Sequence, residues 1–329
     1  MGSFRSCVVI NVEEETRLSK IAFVFPGQGA QAVGMGKDAF DSFDHSRLIF
    51  EQADRALGFS LSNIIFEGPD EVLKQTANTQ PALLTVSIAL LEALQVHGMK
   101  PDYVAGHSLG EYSALVAAGV ISFEDAVRTV RARGQFMEQA VPSGQGAMAA
   151  VLGAERGALA ALCSAITAEG TAVELANVNC PGQIVVSGTA AGVEAVVQRG
   201  KEEAGAKRVI PLEVSGPFHS SLMKPAAENL QTTLAGISML DATVPVVANV
   251  TATSVTSADE IRNLLVEQVY SPVLWEDSIR FLIDQGVETF VEIGSGTVLA
   301  GLIKKIDKNL RVISINSISA LEALKVNEL

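Results

Sequence analysis

Gly106-His107-Ser108-Leu109-Gly110 sets one serine between two glycines, each two residues away. A serine hydroxyl is a weak nucleophile alone, and this spacing belongs to turns that activate it. The segment follows the short apolar run Tyr103-Val104-Ala105 and precedes the helical run Glu111 to Ala118. Strand, turn and helix come in that order, and the glycines two before and two after the serine let the chain turn sharply, so that the hydroxyl projects at a helix N-terminus. There the helix dipole and free N–H groups favour negative charge as it develops. An accidental glycine-rich turn is the bland alternative.

An activated serine needs a base, and the chain has few histidines to search: His45, His97, His107 and His219. His45 lies in a polar helical stretch far upstream, and His97 ends the helix before the elbow strand. His107 adjoins the serine, so its side chain points away from it. His219 is the only histidine after Ser108, and serine elbows place their base later in the chain. It sits in Ser215-Gly216-Pro217-Phe218-His219-Ser220, where Gly-Pro prevents a regular element. No acidic residue stands out in a later loop to orient it. A backbone carbonyl can do that work, because it too fixes the imidazole tautomer.

One arginine is out of place. Ser122 caps a helix over Phe123 to Val141 with Asp125 at the box position. At about 100° per residue, Ala126, Val127, Val130, Gly134 and Met137 share an apolar face. Arg128 and Arg131 point away from it and read as solvated. Arg133 falls roughly 60° from its centre, at the border of the buried face. Either its stem snorkels to water, or its guanidinium waits to grip a substrate carboxylate.

The loop Phe23 to Lys37 invites a nucleotide reading, since Gly27-x-Gly29-x-x-Ala32 follows the strand Ile21 to Phe25. A dinucleotide fold needs a second strand soon afterwards, and here helical sequence fills the chain to Tyr103. No phosphate-loop Gly-Lys-Ser/Thr is present either, because Lys37 precedes Asp38.

These groups need elements to carry them. At 329 residues, 48% apolar and 19% charged, the chain can bury a sizeable core. Its formal charge of −13 argues against nucleic acid, whose phosphates need clustered Lys and Arg. Cys7, Cys163 and Cys180 are too scattered for a disulfide framework or a zinc site, so we expect no metal. The most apolar helix, Pro81 to Val96, carries Glu92 and is too short to span a membrane. Residues 1–20 read as an extension before the first core strand, although Met1 to Ser6 fits a myristoylation pattern. A cytoplasmic protein, or one of an organelle stroma or matrix, is the expectation.

Strands at Ile21 to Phe25, Tyr103 to Ala105, Val244 to Asn249 and Thr289 to Ile293 alternate with helices, predicting an α/β domain with a parallel sheet. The middle differs. Between 144 and 213 the predicted order is βαββαβ, the ferredoxin-like unit, complete in itself. It reads as an insertion in a larger domain made of 21–143 and 214–329.

Together the motifs resemble the malonyl-CoA:acyl carrier protein transacylase family. The shared segments are Phe25-Pro26-Gly27-Gln28-Gly29, Thr79-Gln80-Pro81-Ala82 opening a helix, and Gly106-His107-Ser108-Leu109-Gly110-Glu111. Arg133-Gly134, Asn177-x-Asn179-x-Pro181-Gly182-Gln183, Phe218-His219 and Gln268-x-Tyr270-x-Pro272 follow in order. The resemblance implies an α/β-hydrolase-like core with a ferredoxin-like insertion. It implies Ser108 as nucleophile, His219 as base and the Gln268 carbonyl as the group orienting His219. It also implies an oxyanion hole from the N–H groups of Gln28 and Leu109, and Arg133 as the grip on a malonyl carboxylate. Gln80 and Asn177 would line the pocket, and Phe218 resembles the malonyl-selective members. Malonyl-CoA and an acyl carrier protein are the implied substrates, with phosphopantetheine brought by the carrier and no cofactor of the enzyme's own.

Lys201, Lys207, Arg208, Lys304 and Lys305 are basic candidates for carrier docking, or simply solvated charge. Ser295, in Gly294-Ser295-Gly296, stands where many members have proline. Two rival readings use the same residues: a serine hydrolase such as a thioesterase, and a non-catalytic carrier-docking module with a relic site.

Overall fold

The computed structural model describes residues 19–96 and 98–324. Cys7, His97 and the Met1 to Ser6 motif lie outside the described residues, as does the extension up to residue 18. Its last residue, Lys20, already belongs to the first strand.

In chain order the strands are β1 (Lys20–Phe25), β2 (Tyr103–Gly106), β3 (Gly146–Leu152), β4 (Val173–Cys180) and β5 (Gln183–Thr189). They continue with β6 (Arg208–Pro211), β7 (Val246–Val247), β8 (Ser254–Val255), β9 (Val287–Ile293) and β10 (Arg311–Ile315). One sheet has the order β10-β9-β1-β2-β7-β8, parallel except for β8. Its central strands are buried on both faces by helices, which is why β1 reads as a near-continuous apolar run. In such sheets sites form at the carboxyl ends of the strands. Here Phe25 and Gly106, which end β1 and β2, are register partners.

The helix Thr76–Gln95 packs under this edge and is buried along almost its whole length. Pro81 lies inside it rather than at its opening. The turn before Pro81 is held from outside, by Asn78 Nδ2 donating to Val72 O (2.8 Å) and Thr79 Oγ1 donating to Leu73 O (2.6 Å). These bonds tie the first turn of the helix to the segment before it.

The strands β3 to β6 form a second sheet in the order β4-β5-β3-β6, antiparallel throughout. The helices Arg156–Ala168 and Ala190–Glu203 complete the expected βαββαβ sequence. They share a separate apolar cluster with this sheet that includes Val151, Leu159, Val186 and Val196. Its edge strand β4 is tied to the larger unit, with Val178 N donating to Val273 O (2.9 Å) and Val273 N donating to Ala176 O (2.8 Å). Glu174 of β4 also accepts from the N–H of Ser221 (3.0 Å), two residues beyond His219. The second unit is thus bolted to the segments around His219 and Val273.

Two differences from the sequence expectation concern edges. The strand expected over Val244 to Asn249 is paired only at Val246–Val247, and Asn249 begins the turn beyond it. The strand β10 stands where helix was expected after β9. Short edge strands carry little periodic signal, so pairing decides them.

Candidate active site

Ser108 caps the helix Leu109–Ala117 with φ 51°, a left-handed conformation that costs a serine about 1–3 kcal/mol. The flanking glycines serve close approach, not an unusual φ. A Cβ on Gly106 would lie 1.9 Å from the carbonyl carbon of Gly110, and one on Gly110 would lie 2.0 Å from Phe25 O. A Cβ on Gly27 would lie 2.3 Å from His107 O. The end of β1, its following loop and the elbow therefore pack backbone against backbone, which brings the Gln28 segment beside Ser108.

His219 meets the serine from the other side. Ser108 Oγ lies 2.7 Å from His219 Nε2, and His219 Nδ1 lies 2.9 Å from Gln268 O. A carbonyl only accepts, so Nδ1 carries the proton and Nε2 presents its lone pair to the hydroxyl. The ring is 4% exposed, and burial followed by the charge of Arg133 pushes its pKa down to about 3. The imidazole is neutral, as a base must be before reaction.

Arg133, on the helix Phe123–Gln139, does not snorkel: it is 1% exposed. Its Nη2 donates to Ser108 Oγ (3.1 Å) and to Gln268 Oε1 (2.9 Å), and its Nη1 donates to Gln80 Oε1 (2.8 Å). The guanidinium carbon stands 5.6 Å from the Tyr112 ring centre, and Nε has no partner among the described residues. Burial lowers the arginine's pKa, while Tyr112 and Glu111 oppose that shift. Arginine has a wide margin above neutral pH, so the group stays cationic. Arg128 is exposed and paired with Asp125. Arg131, by contrast, is half-buried against Asn78 and the Phe59 ring rather than solvated.

A cleft of about 130 Å³ opens onto these groups, with Gln28, Leu109, Met137, Asn177 and Phe218 in its walls. It continues past His107 and Asn177 into a groove of about 220 Å³ lined by Asn179, Val298 and Leu302. Among the described residues no hydrogen bond engages the backbone N–H of Gln28 or of Leu109. His107 points away from the serine, with Nε2 2.8 Å from Asn179 Oδ1 and its ring against Trp275. Two cavities of about 290 and 470 Å³ elsewhere have neither histidine nor arginine among the described residues that line them.

A serine hydroxyl in contact with a neutral imidazole, beside a buried cation in one cleft, suits transfer of an acyl group that carries a carboxylate. The acyl transferase domain family matches this chain over residues 22–321. The chain belongs to that family. Among curated relatives, a Bacillus subtilis protein named malonyl CoA-acyl carrier protein transacylase is 55% identical over 305 residues, covering 93% of this chain and 96% of that one. A solved acyl carrier protein S-malonyltransferase from Vibrio cholerae superposes with TM-score 0.91 at 46% identity, covering 93% and 100%. A malonyl-transacylase solved with its type II PKS acyl-carrier protein gives TM-score 0.89 at 43% identity, covering 92% and 98%.

In this acyl transferase the structure links Ser108, His219, Arg133, Gln80 and Gln268 in one network of direct hydrogen bonds. It places Gln28, Leu109, Asn177 and Phe218 in the cleft wall. Of the basic docking candidates, Lys304 Nζ donates to Leu310 O (2.6 Å) and Lys305 Nζ to Gln183 Oε1 (3.0 Å). Sequence reasoning assigned no role to Asn249, whose Oδ1 accepts from Ser108 N (2.7 Å) while Nδ2 donates to Gly106 O (2.7 Å). It also took only the carbonyl of Gln268, whose amide is equally engaged, and left Glu111 unassigned. The available signal was a polar residue among apolar ones: Asn249 ends a valine-rich run, and Glu111 opens an apolar helix.

Proposed function

We propose that this chain transfers a malonyl group from malonyl-CoA to the phosphopantetheine thiol of an acyl carrier protein. The relatives' names support that reaction. The observation that carries it here is Arg133, a buried cation bonded to the hydroxyl of the nucleophile. An acyl group ending in a carboxylate suits such a pocket, and a neutral one leaves the guanidinium unpaired.

In this reading His219 Nε2 takes the Ser108 proton as Oγ attacks the thioester carbonyl of malonyl-CoA. The Gln28 and Leu109 N–H groups receive the oxyanion. The imidazolium returns the proton to the departing coenzyme A sulfur, leaving a malonyl-serine ester. Gln268 O steadies the imidazolium through Nδ1. The carrier's thiol then enters, gives its proton to His219 and attacks the ester, and collapse returns the malonyl group to sulfur and the proton to Ser108. The exchange is ping-pong, thioester for ester for thioester, and uses no cofactor.

Arg133 has five N–H donors, of which Gln80, Gln268 and Ser108 occupy three. Acylation removes the serine hydroxyl, so Nη2 joins the remaining Nη1 hydrogen in a fork for the malonyl carboxylate. Phe218, Gln80 and Asn177 bound the acyl pocket. The larger sheet, over 21–143 and 214–329, is proposed as an α/β-hydrolase-like core, with 144–213 as a ferredoxin-like insertion. A cytoplasmic setting and partners other than nucleic acid or membrane belong to the same reading. Among the described residues no helix is long and apolar enough to cross a membrane.

The test is intact mass after mixing with malonyl-CoA, with and without a carrier protein. A malonyl adduct that passes to the carrier is expected. Release of free malonate without transfer would make the protein a hydrolase, and absence of any adduct would make it a relic.

A further inference from the structure

One buried acid stands in the site without a part in the chemistry above. Glu111 is 2% exposed and sits in the first turn of the helix Leu109–Ala117, three residues after the nucleophile. Its Oε2 accepts two bonds, from Gln268 Nε2 (2.8 Å) and from the backbone N–H of Asn249 (3.1 Å). Gln268 Nε2 also donates to Ser108 O (3.0 Å), while its Oε1 accepts from Arg133 Nη2 (2.9 Å).

A glutamine amide has a donor end and an acceptor end, and its partners decide which way it faces. Reversed, this amide would turn its NH₂ on the guanidinium and its oxygen on the Glu111 carboxylate and the Ser108 carbonyl. All three contacts would become repulsive. Gln80 holds only Nη1 of Arg133, and Nη2 is held by Gln268 and by the Ser108 hydroxyl, so Gln268 alone holds that end once the serine is acylated. Asn249, the second donor to Glu111, holds the elbow through Ser108 N and Gly106 O.

We propose that Glu111 is a positioning residue: its carboxylate orients the Gln268 amide and so holds the Arg133 guanidinium at the acyl pocket. This rests on the reading of Arg133 as the carboxylate grip. The loss should therefore be selective. A malonyl donor needs Arg133 placed, whereas a neutral serine reagent needs only Ser108 and His219, and His219 is held by the Gln268 main chain.

The experiment compares Glu111→Ala and Glu111→Gln with the unaltered protein. One readout is kcat/KM for Ser108 malonylation by malonyl-CoA, and the other is the labelling rate with a neutral fluorophosphonate. In Glu111→Ala, malonylation is expected to fall about tenfold or more, and labelling by less than about threefold. Glu111→Gln keeps a side-chain carbonyl that can accept both N–H bonds, so it is expected to recover most of the malonylation rate. Equal losses with both reagents would overturn the proposal, as would a Glu111→Gln variant as impaired as Glu111→Ala. If Glu111→Ala does not fold, Gln268→Leu removes the same link while keeping the carbonyl, and the same selective loss is expected. Equal losses there would overturn it too. An unaltered protein with no preference for malonyl over acetyl donors would instead refute the role of Arg133.

Discussion

Replacing Arg133 with alanine tests the selectivity of the pocket most directly. The guanidinium is 1% exposed, so a carboxylate bound to it forms a buried ion pair. Removing one partner of such a pair costs about 3–5 kcal/mol, or roughly 10²- to 5 × 10³-fold in kcat/KM for malonyl-CoA. Water in the open cleft moves the loss toward the lower figure. Acetyl-CoA has no carboxylate, so its transfer should hold or rise, and the malonyl-to-acetyl ratio should collapse. Arg133→Met, which keeps the stem and loses the charge, separates lost packing from lost pairing. A second readout is the pH profile of serine labelling by a neutral fluorophosphonate. Arg133 is the second cause, after burial, of the depressed His219 pKa of about 3. Without the charge that pKa must rise, so the acid limb of the profile should move to higher pH. An Arg133→Ala variant that kept the original preference for malonyl over acetyl donors would refute the assignment.

Three further outcomes follow from the same coordinates. Ser108→Gly should be more stable than Ser108→Ala by about 1 kcal/mol in chemical denaturation, because both lose the hydroxyl and only glycine accepts φ 51° without strain; an alanine variant of equal stability would contradict the strain argument. Gly110→Ala puts a Cβ 2.0 Å from Phe25 O, backbone that cannot swing aside, and should cost more than about 3 kcal/mol. A Tm within about two degrees of the unaltered protein would show the elbow to be looser than this. Burial raises the Glu111 pKa to about 7 from an ordinary 4.5. The folded state then holds its proton more tightly than the unfolded chain, so this group's contribution is complete below pH 4.5 and is lost as pH rises to 7. The stability of Glu111→Gln relative to the unaltered protein should accordingly rise across that window by about 3 kcal/mol and then level off; a flat difference would place the Glu111 titration elsewhere.

The meeting of the candidate serine and histidine was legible because it follows chain order. Ser108 in its strand-turn-helix context and His219 as the sole later histidine needed only local pattern and elimination. Arg133 was legible as an anomaly, although its angle left two fates open. The βαββαβ order was readable because each element is periodic and each turn carries its own residues. Edge strands were not: β8 is only two residues long, and β10 is defined by its pairing with β9 rather than by a pattern of its own. The reason for the glycines was also misjudged. They were expected to ease a sharp turn, yet the strained φ falls on Ser108 itself, and Gly106 and Gly110 are small because other backbone touches them.

Sequence by itself determined most element types and singled out Ser108, His219 and an unexplained cation, Arg133, as candidates, because these are properties of residues and their near neighbours. Only the tertiary structure decided what each polar group faces. The Gln268 carbonyl meets His219, its amide joins Arg133 to Glu111, and Asn249 closes the elbow, across separations of 49 to 157 residues. Such contacts leave no periodic trace in the chain. They exist because burial removes water as a partner, and each donor and acceptor must then find another wherever the fold has brought one.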